Sequence, residues 1–392
     1  MDTKNQNILY IVHSYHSFQK DSIELLAKNF KNVYVVVRYK PIAEISKIFP
    51  IKKLFIHRKE FVIQDMDKPN NVHIYTAPVW YLPTKFFYNM LGDYHFRVVD
   101  RIIRKNKIKF DIIHAHFTWT AGYVAAKLKE KYKVPFIITI HSSNRIEEQL
   151  KSGNEKIYSI WRKADAIIRI TKKNIEDLKK YNKKTYYIPN GFNQGLFIPE
   201  KENKCRVRLG LNPKKKILLS IGHLEEYKGQ IYLVRAMHRL VNNYGYKDIK
   251  LYIIGEGSLR GQLEKEINKL DLNQYIELLG SKLHKEIPVW VNACDIFILP
   301  SLAESFGIVQ LEAFACGKPV VATKNDGSRE IIISKVYGYL CNIGDSEDLA
   351  RKIDSALKND WNKKAIINYS KTYTWGKVSG KVFDIYKTIF KK

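Results

Sequence analysis

Short apolar runs bounded by polar turns recur through the first half of the chain: ILYIVHS, VYVVV, FDIIHAHF, VPFIITIH, AIIRIT and TYYIPN. Each is rich in β-branched or aromatic residues and reads as a buried strand. Between them, SIELLAKNF and AGYVAAKLKEKY repeat apolar residues at helical spacing. This alternation predicts parallel α/β layers. It breaks over GLFIPEKENKCRVRLGLNPKKK, a polar stretch carrying Pro199 and Pro213, which reads as a linker around 195–213. It restarts with ILLSIGHLEEYKGQ, a helix to about Val241, then IKLYIIGEG, YIELLG, DIFILPS, PVVAT and YLCNI. Two α/β units therefore stand in tandem. The final SGKVFDIYKTIFKK predicts a basic amphipathic helix.

A chain of 392 residues, 45% hydrophobic, is long enough for two or three cores. No tract of eighteen or more uncharged apolar residues is present, so no membrane-spanning helix is expected. The amino-terminal MDTKNQNILYIVHSY lacks the pattern of a secretory signal, which points to a cytoplasmic protein. Cys205, Cys294, Cys316 and Cys341 are scattered, form no CxxC and lack histidine pairs at ligand spacing. Buried thiols in a reducing compartment, and no metal, are the expectation.

The net charge of +28 is spread over both halves with a lean to the first. Solvated lysine surfaces account for it, and so does attraction to phosphorylated substrates, anionic lipid or nucleic acid. No nucleic-acid motif accompanies the charge, which leaves nucleic-acid binding a distant alternative. Aromatic residues interleave with Lys and Arg over IFPIKKLFIHRKEF and WYLPTKFFYNMLGDYHFRVVDRIIRKNKIKF. That composition suits peripheral attachment to the inner face of the cell membrane, or a helix packed on its own domain.

In open parallel sheets ligands bind at the carboxyl ends of strands, and three such places are chemically unusual. After DIFILP, the loop SLAESFG leads into a helix beginning near Gly307 or Ile308. Glu312 lies about 40° from Ile308 on a helical wheel, within the apolar arc of Ile308, Leu311 and Ala315. A carboxylate there needs a partner or a ligand. Glu304 sits in the loop itself, and amides from Ser305 to Ile308 form a helix amino terminus suited to anions. The plain alternative makes Glu304 a cap and Glu312 a salt-bridge partner. In ILLSIGHLEEYKG, Gly222 allows a tight turn and Lys228 can reach an anion, or stand as a solvated loop lysine. In the first half, His114 and His116 end one strand and His141 follows another; each also fits a satisfied structural histidine.

The stretch ESFGIVQLE followed by AFACGKPVVAT resembles the E-x7-E signature of retaining glycosyltransferases of family 4, the group 1 glycosyl transferases. The resemblance runs through most of the chain and is strongest over about 217–345. It implies the GT-B fold, an α/β architecture of two Rossmann-like parallel-sheet domains facing a central cleft. On this reading residues 1–198 form the acceptor-side domain and 199–375 the nucleotide-sugar domain. Residues 376–392 form a helix packing back on the first domain.

The implied reaction moves a sugar from a nucleotide diphosphate donor, UDP- or GDP-sugar, to an acceptor hydroxyl with retention and without a metal. Cell-surface polysaccharide or lipid-linked glycan synthesis is the setting it suggests. By position, Glu312 would hold ribose hydroxyls and Glu304 the transferred sugar, while the backbone of Ser305, Phe306, Gly307 and Ile308 meets sugar and phosphate. Gly222, His223 and Lys228 would face the diphosphate, and His141, in a T-x-H-S segment, would stand near the transferred sugar. His114 and His116 resemble the family's H-A-H-F strand end and are expected to be structural.

The sequence departs from the family pattern in three places. His223 stands where arginine is usual, which leaves the diphosphate grip mainly to Lys228. The first loop, VHSYHSFQKDS, lacks the usual glycine pair, and Asn193 replaces a common Asp after P-N-G. A sugar-nucleotide epimerase, a phosphorylase or a catalytically silent partner subunit of the same fold remain alternatives.

Overall fold

Seven parallel strands build the first sheet of the computed structural model, which describes residues 3–47, 58–64, 66–80, 85–141 and 144–391. They are β1 (Asn7–Val12), β2 (Asn32–Tyr39), β3 (Val72–Pro78), β4 (Ile112–His116), β5 (Phe136–Ile140), β6 (Ala166–Arg169) and β7 (Thr185–Tyr187). Their order is β3-β2-β1-β4-β5-β6-β7. Helices cover both faces, so every residue of β4, β5 and β6 is buried. This is why these strands read as unbroken apolar runs. The edge strand β3 is not among the runs that stand out in the sequence. Its four central residues are only half-buried, and VHIYTAP carries a weaker apolar signal.

A second parallel sheet holds β8 (Lys216–Ile221), β9 (Ile249–Ile254), β10 (Ile276–Gly280), β11 (Ile296–Leu299), β12 (Val320–Thr323) and β13 (Gly338–Cys341), in the order β10-β9-β8-β11-β12-β13. Each sheet thus starts in the middle, winds outward and then reverses beyond its first strand, which is the Rossmann-like arrangement. The chain divides into two compact units, Met1–Asn190 with Trp375–Lys392, and Gly191–Thr374.

The polar stretch expected to be a linker carries a helix, Glu202–Arg208, anchored inside the second unit. Cys205 is fully buried, and Arg206 donates to Ala293 O at 2.9 Å and to Asp295 Oδ2 at 2.8 Å. A buried arginine with matched acceptors lets a charged segment join a core, which composition alone does not reveal.

The carboxyl-terminal helix, Trp375–Phe390, belongs to the first unit. Its Trp375, Val378, Val382, Ile385 and Tyr386 join Ile8, Tyr10 and Val33 in one apolar cluster. Of the two aromatic–basic stretches, residues 48–57 and 81–84 lie outside the described ones. Within the helix Lys85–Lys105, Leu91, His95, Val99 and Ile103 are buried in the unit. Among the described residues no helix is long and apolar enough to cross a membrane.

Candidate functional site

The second sheet reverses direction between β8 and β11, and the segments leaving those two strands carry most of the expected site. After β8 come Gly222, His223 and then Lys228; after β11 come Glu304 and the loop to Gly307. Tyr227 O accepts from Leu302 N at 2.8 Å, tying the two loops together. Gly229, at φ 66°, permits this approach: a Cβ there would stand 2.3 Å from Pro300 O.

Lys228 Nζ donates to Glu304 Oε2 at 2.5 Å, and both side chains are largely buried. The ammonium also lies 5.5 Å from the Tyr227 ring centre. The Glu304 main chain is fixed separately, its carbonyl accepting from Gly327 N at 3.1 Å. Gly327 belongs to Asp326–Ile331, a helix that nothing in the sequence connects with the site.

Gly307 ends the loop with φ 78° and ψ 58°, and the helix Ile308–Ala315 begins immediately after it. No side chain caps this helix, so its first amides lack partners within it and carry the positive end of its dipole. The left-handed backbone favours glycine, and a Cβ at 307 would meet Gln310 Nε2 at 2.5 Å and Glu304 Cγ at 3.0 Å.

Glu312, one turn further in, is 7% exposed. Its Oε1 accepts from His284 Nε2 at 3.1 Å in the tautomer that protonates that nitrogen. The expected partner for a carboxylate on the apolar arc is therefore a histidine that sequence reasoning missed. The segment SKLHKE offers no periodic or motif signal to find it. His223 has an exposed side chain; desolvation by its surroundings, then the Lys228 ammonium, lowers its pKa. It brings no positive charge at neutral pH, unlike an arginine.

His141 lies in the first unit. The ring is 7% exposed, and its Nε2 lies 3.2 Å from His116 Nδ1. His114 bridges Thr139 Oγ1 at 2.7 Å and Tyr386 Oη at 2.5 Å, so it ties β4 to β5 and to the carboxyl-terminal helix. A cavity of about 20 Å³, room for one water, lies among His114, His116, His141, Asn190 and Trp375. Burial pushes the pKa of His116 down to about 3. Burial and then the charges of His116 and Arg169 hold His141 well below the usual histidine value. Arg169 is fully buried and donates to Ile140 O at 3.0 Å, bracing the residue before His141. Among the described residues no three His, Cys, Asp or Glu side chains converge as a metal-holding group.

Residues 201–373 match the family model described as glycosyl transferases group 1, and residues 57–195 match that of glycosyltransferase family 4. An uncharacterised glycosyltransferase of Methanocaldococcus jannaschii is 30% identical over 298 residues, 73% of this chain and 79% of that protein. The D-inositol 3-phosphate glycosyltransferase of Pseudarthrobacter chlorophenolicus is 27% identical, over 71% of this chain and 70% of that protein. Among solved structures, sucrose-phosphate synthase of Thermosynechococcus elongatus superposes with a TM-score of 0.75 at 21% identity, covering 99% of this chain and 100% of that one. The Anabaena protein HepE in complex with UDP-glucose superposes with a TM-score of 0.71 at 21% identity, covering 99% and 100%.

Proposed function

The chain belongs to the group 1 glycosyltransferases of family 4, with the GT-B fold, and from that premise we propose a retaining transfer of a sugar from a nucleoside diphosphate donor to an acceptor hydroxyl. The observation that carries the reading is the gathering of Lys228, Glu304, Glu312 and the amino end of the helix Ile308–Ala315 around one reversal point of a parallel sheet. That constellation offers a cation and a dipole end for a diphosphate, and two carboxylates for hydroxyls.

In this proposal Glu312 accepts from ribose hydroxyls, its other oxygen oriented by His284. The diphosphate lies against the first amides of the helix and draws Lys228 away from Glu304. Glu304 then accepts from hydroxyls of the transferred sugar. As the glycosidic bond breaks, negative charge grows on the leaving phosphate, and preorganised donors of this kind contribute about 3–4 kcal/mol each. The departing phosphate takes the acceptor's proton, with attack on the face it leaves. His141, neutral through burial, would donate or accept one hydrogen bond near the transferred sugar rather than supply charge.

UDP-glucose is the first donor to test, since HepE has been captured with it, and GDP-sugars are the second. Binding is measured by calorimetry and turnover by nucleoside diphosphate release that depends on acceptor. Glu312→Ala is expected to raise donor KM, and His141→Ala mainly to lower kcat. The proposal fails if no nucleotide sugar binds, or if both variants turn over normally.

A further inference from the structure

A glutamate carries its carboxylate on a flexible stem, and a stem that must be ordered on binding weakens whatever it binds. In Glu312, Oε1 accepts from His284 Nε2 at 3.1 Å, while Oε2 accepts from no group among the described residues. The His284 ring is not fixed by burial: it stands in the turn His284–Glu286 with its side chain 33% exposed. Phe197 stands against that ring, with 5.4 Å between ring centres and 54° between planes. Phe197 itself is 2% exposed. A ring tilted against a ring in this way favours one setting of the softer partner.

Phe197 lies among the first residues of the second unit, and its amide donates to Asn193 O at 3.0 Å. The large apolar cluster around Leu218, Leu251 and Ile296 does not include it. Its neighbours are pinned by Asn292, fully buried on the helix Ile287–Ala293 that continues the His284 turn. Asn292 Nδ2 donates to Ile198 O at 3.0 Å, and Asn292 Oδ1 accepts from Glu200 N at 2.9 Å. The same Nδ2 lies 3.4 Å from the sulfur of Cys316, which ends the helix carrying Glu312. Three segments thus meet at Asn292: the leading residues of the unit, the element bearing His284 and the helix bearing Glu312. The row Phe197, His284, Glu312 joins the same three segments a second time.

We propose that Phe197 is a positioning residue for the nucleotide: by seating His284 it sets the Glu312 carboxylate for ribose hydroxyls, and so sets the preference for ribose over deoxyribose. This rests on the reading of Glu312 as the ribose acceptor. It gives a segment whose composition marks it as a linker a part in choosing the donor. Side chains whose rotamers are locked by packing recognise a ligand without paying to order themselves, and Phe197 supplies that lock from outside the ribose contact.

The test is calorimetry on the full chain with UDP, GDP and their 2′-deoxy forms, following whichever nucleotide binds the wild type more tightly. The wild type should prefer the ribose form by about tenfold or more, as a hydrogen bond to a charged acceptor provides. Phe197→Leu should cut that preference to about threefold or less, by weakening the ribose form and leaving the deoxy form nearly unchanged. His284→Leu should do the same. The double variant should lose no more than either, because both act through one carboxylate. His284→Gln, whose amide can donate in place of the imidazole, should keep most of the preference. Should Phe197→Leu fail to fold, Phe197→Met is read in its place, with the same loss expected. A role in packing alone would weaken both forms by one factor. That result, or an unchanged preference, overturns the inference and leaves the donor reading standing. A wild type that binds neither nucleotide defeats the donor reading, and one that binds ribose and deoxy forms alike removes ribose from Glu312. The inference falls with either.

Discussion

Lys228 Nζ and Glu304 Oε2 stand 2.5 Å apart, so the two side chains proposed to hold the donor hold each other instead. A diphosphate must compete with a carboxylate for the ammonium. Glu304→Gln removes that competitor while keeping the shape of the side chain. Free UDP should then bind about three- to tenfold more tightly, since the charge-assisted partner is lost only to the free protein. Transfer should fall, because an amide is a poorer acceptor for sugar hydroxyls. Lys228→Ala should weaken UDP and UDP-glucose alike. Calorimetry with both ligands checks the pair, and weaker UDP binding by Glu304→Gln would refute the exchange.

Gly307 offers a backbone test of the same site. Its φ is 78°, and Gln310 Nε2 lies 2.5 Å from where a Cβ would stand, so a side chain has no comfortable place. Gly307→Ala should cost about 1–3 kcal/mol through the left-handed backbone alone. The loop from Glu304 to Ile308 would shift, so donor KM should rise more than kcat falls. Thermal melting and initial rates read the two effects separately.

Sequence made the helix start at Gly307 and the inward-facing Glu312 legible, because both follow from local periodicity and a motif of fixed spacing. The partners of those residues were not legible. His284 reaches Glu312 from a turn after β10, 28 positions away, and Gly327 reaches Glu304 from beyond β12. Neither lies in a stretch whose own pattern implies a contact. The strands of both sheets are readable from apolar runs, except the edge strand β3, which is half-exposed. The Glu202–Arg208 helix was hidden for the opposite reason: its charge concealed one buried, fully matched arginine.

That arginine gives a stability prediction. Arg206 Nη2 lies 2.9 Å from Glu202 Oε1 and 2.8 Å from Asp295 Oδ2, and its Nη1 donates to Pro213 O at 2.9 Å. Arg206→Ala leaves Asp295, Glu202 and three carbonyls, those of Ala293, Pro213 and Lys215, short of a donor at the foot of β8 and β11. Breaking such a pair costs roughly 3 kcal/mol. Unfolding in urea should move to lower denaturant for the second unit, with the first unaffected. An unchanged midpoint would return the segment to the status of a loose linker.

Acid should act on the first unit before the second. His13, His95, His114, His116 and His141 all belong to it, and burial leads the causes that lower each pKa, to about 3 for His116. In the unfolded chain each returns to about 6.5. Between those values the unfolded chain binds protons that the folded unit refuses, so stability rises with pH across the window. The contribution is complete above about pH 6.5 and is lost as the pH falls, by up to about 1.4 kcal/mol per pH unit for each histidine. In the second unit His223 is exposed and His238 and His284 are half-buried, so no comparable set of buried rings stands behind β8. Hydrogen exchange at pH 7.5 and 5.5 should therefore show β4 and β5 losing protection while β8 and β11 keep theirs. His116→Phe removes one titrating group from the buried set and should flatten the first unit's pH slope, even if its stability at pH 7.5 is lower. Equal protection at both pH values in β4 and β5 would contradict a set of histidines held neutral by burial.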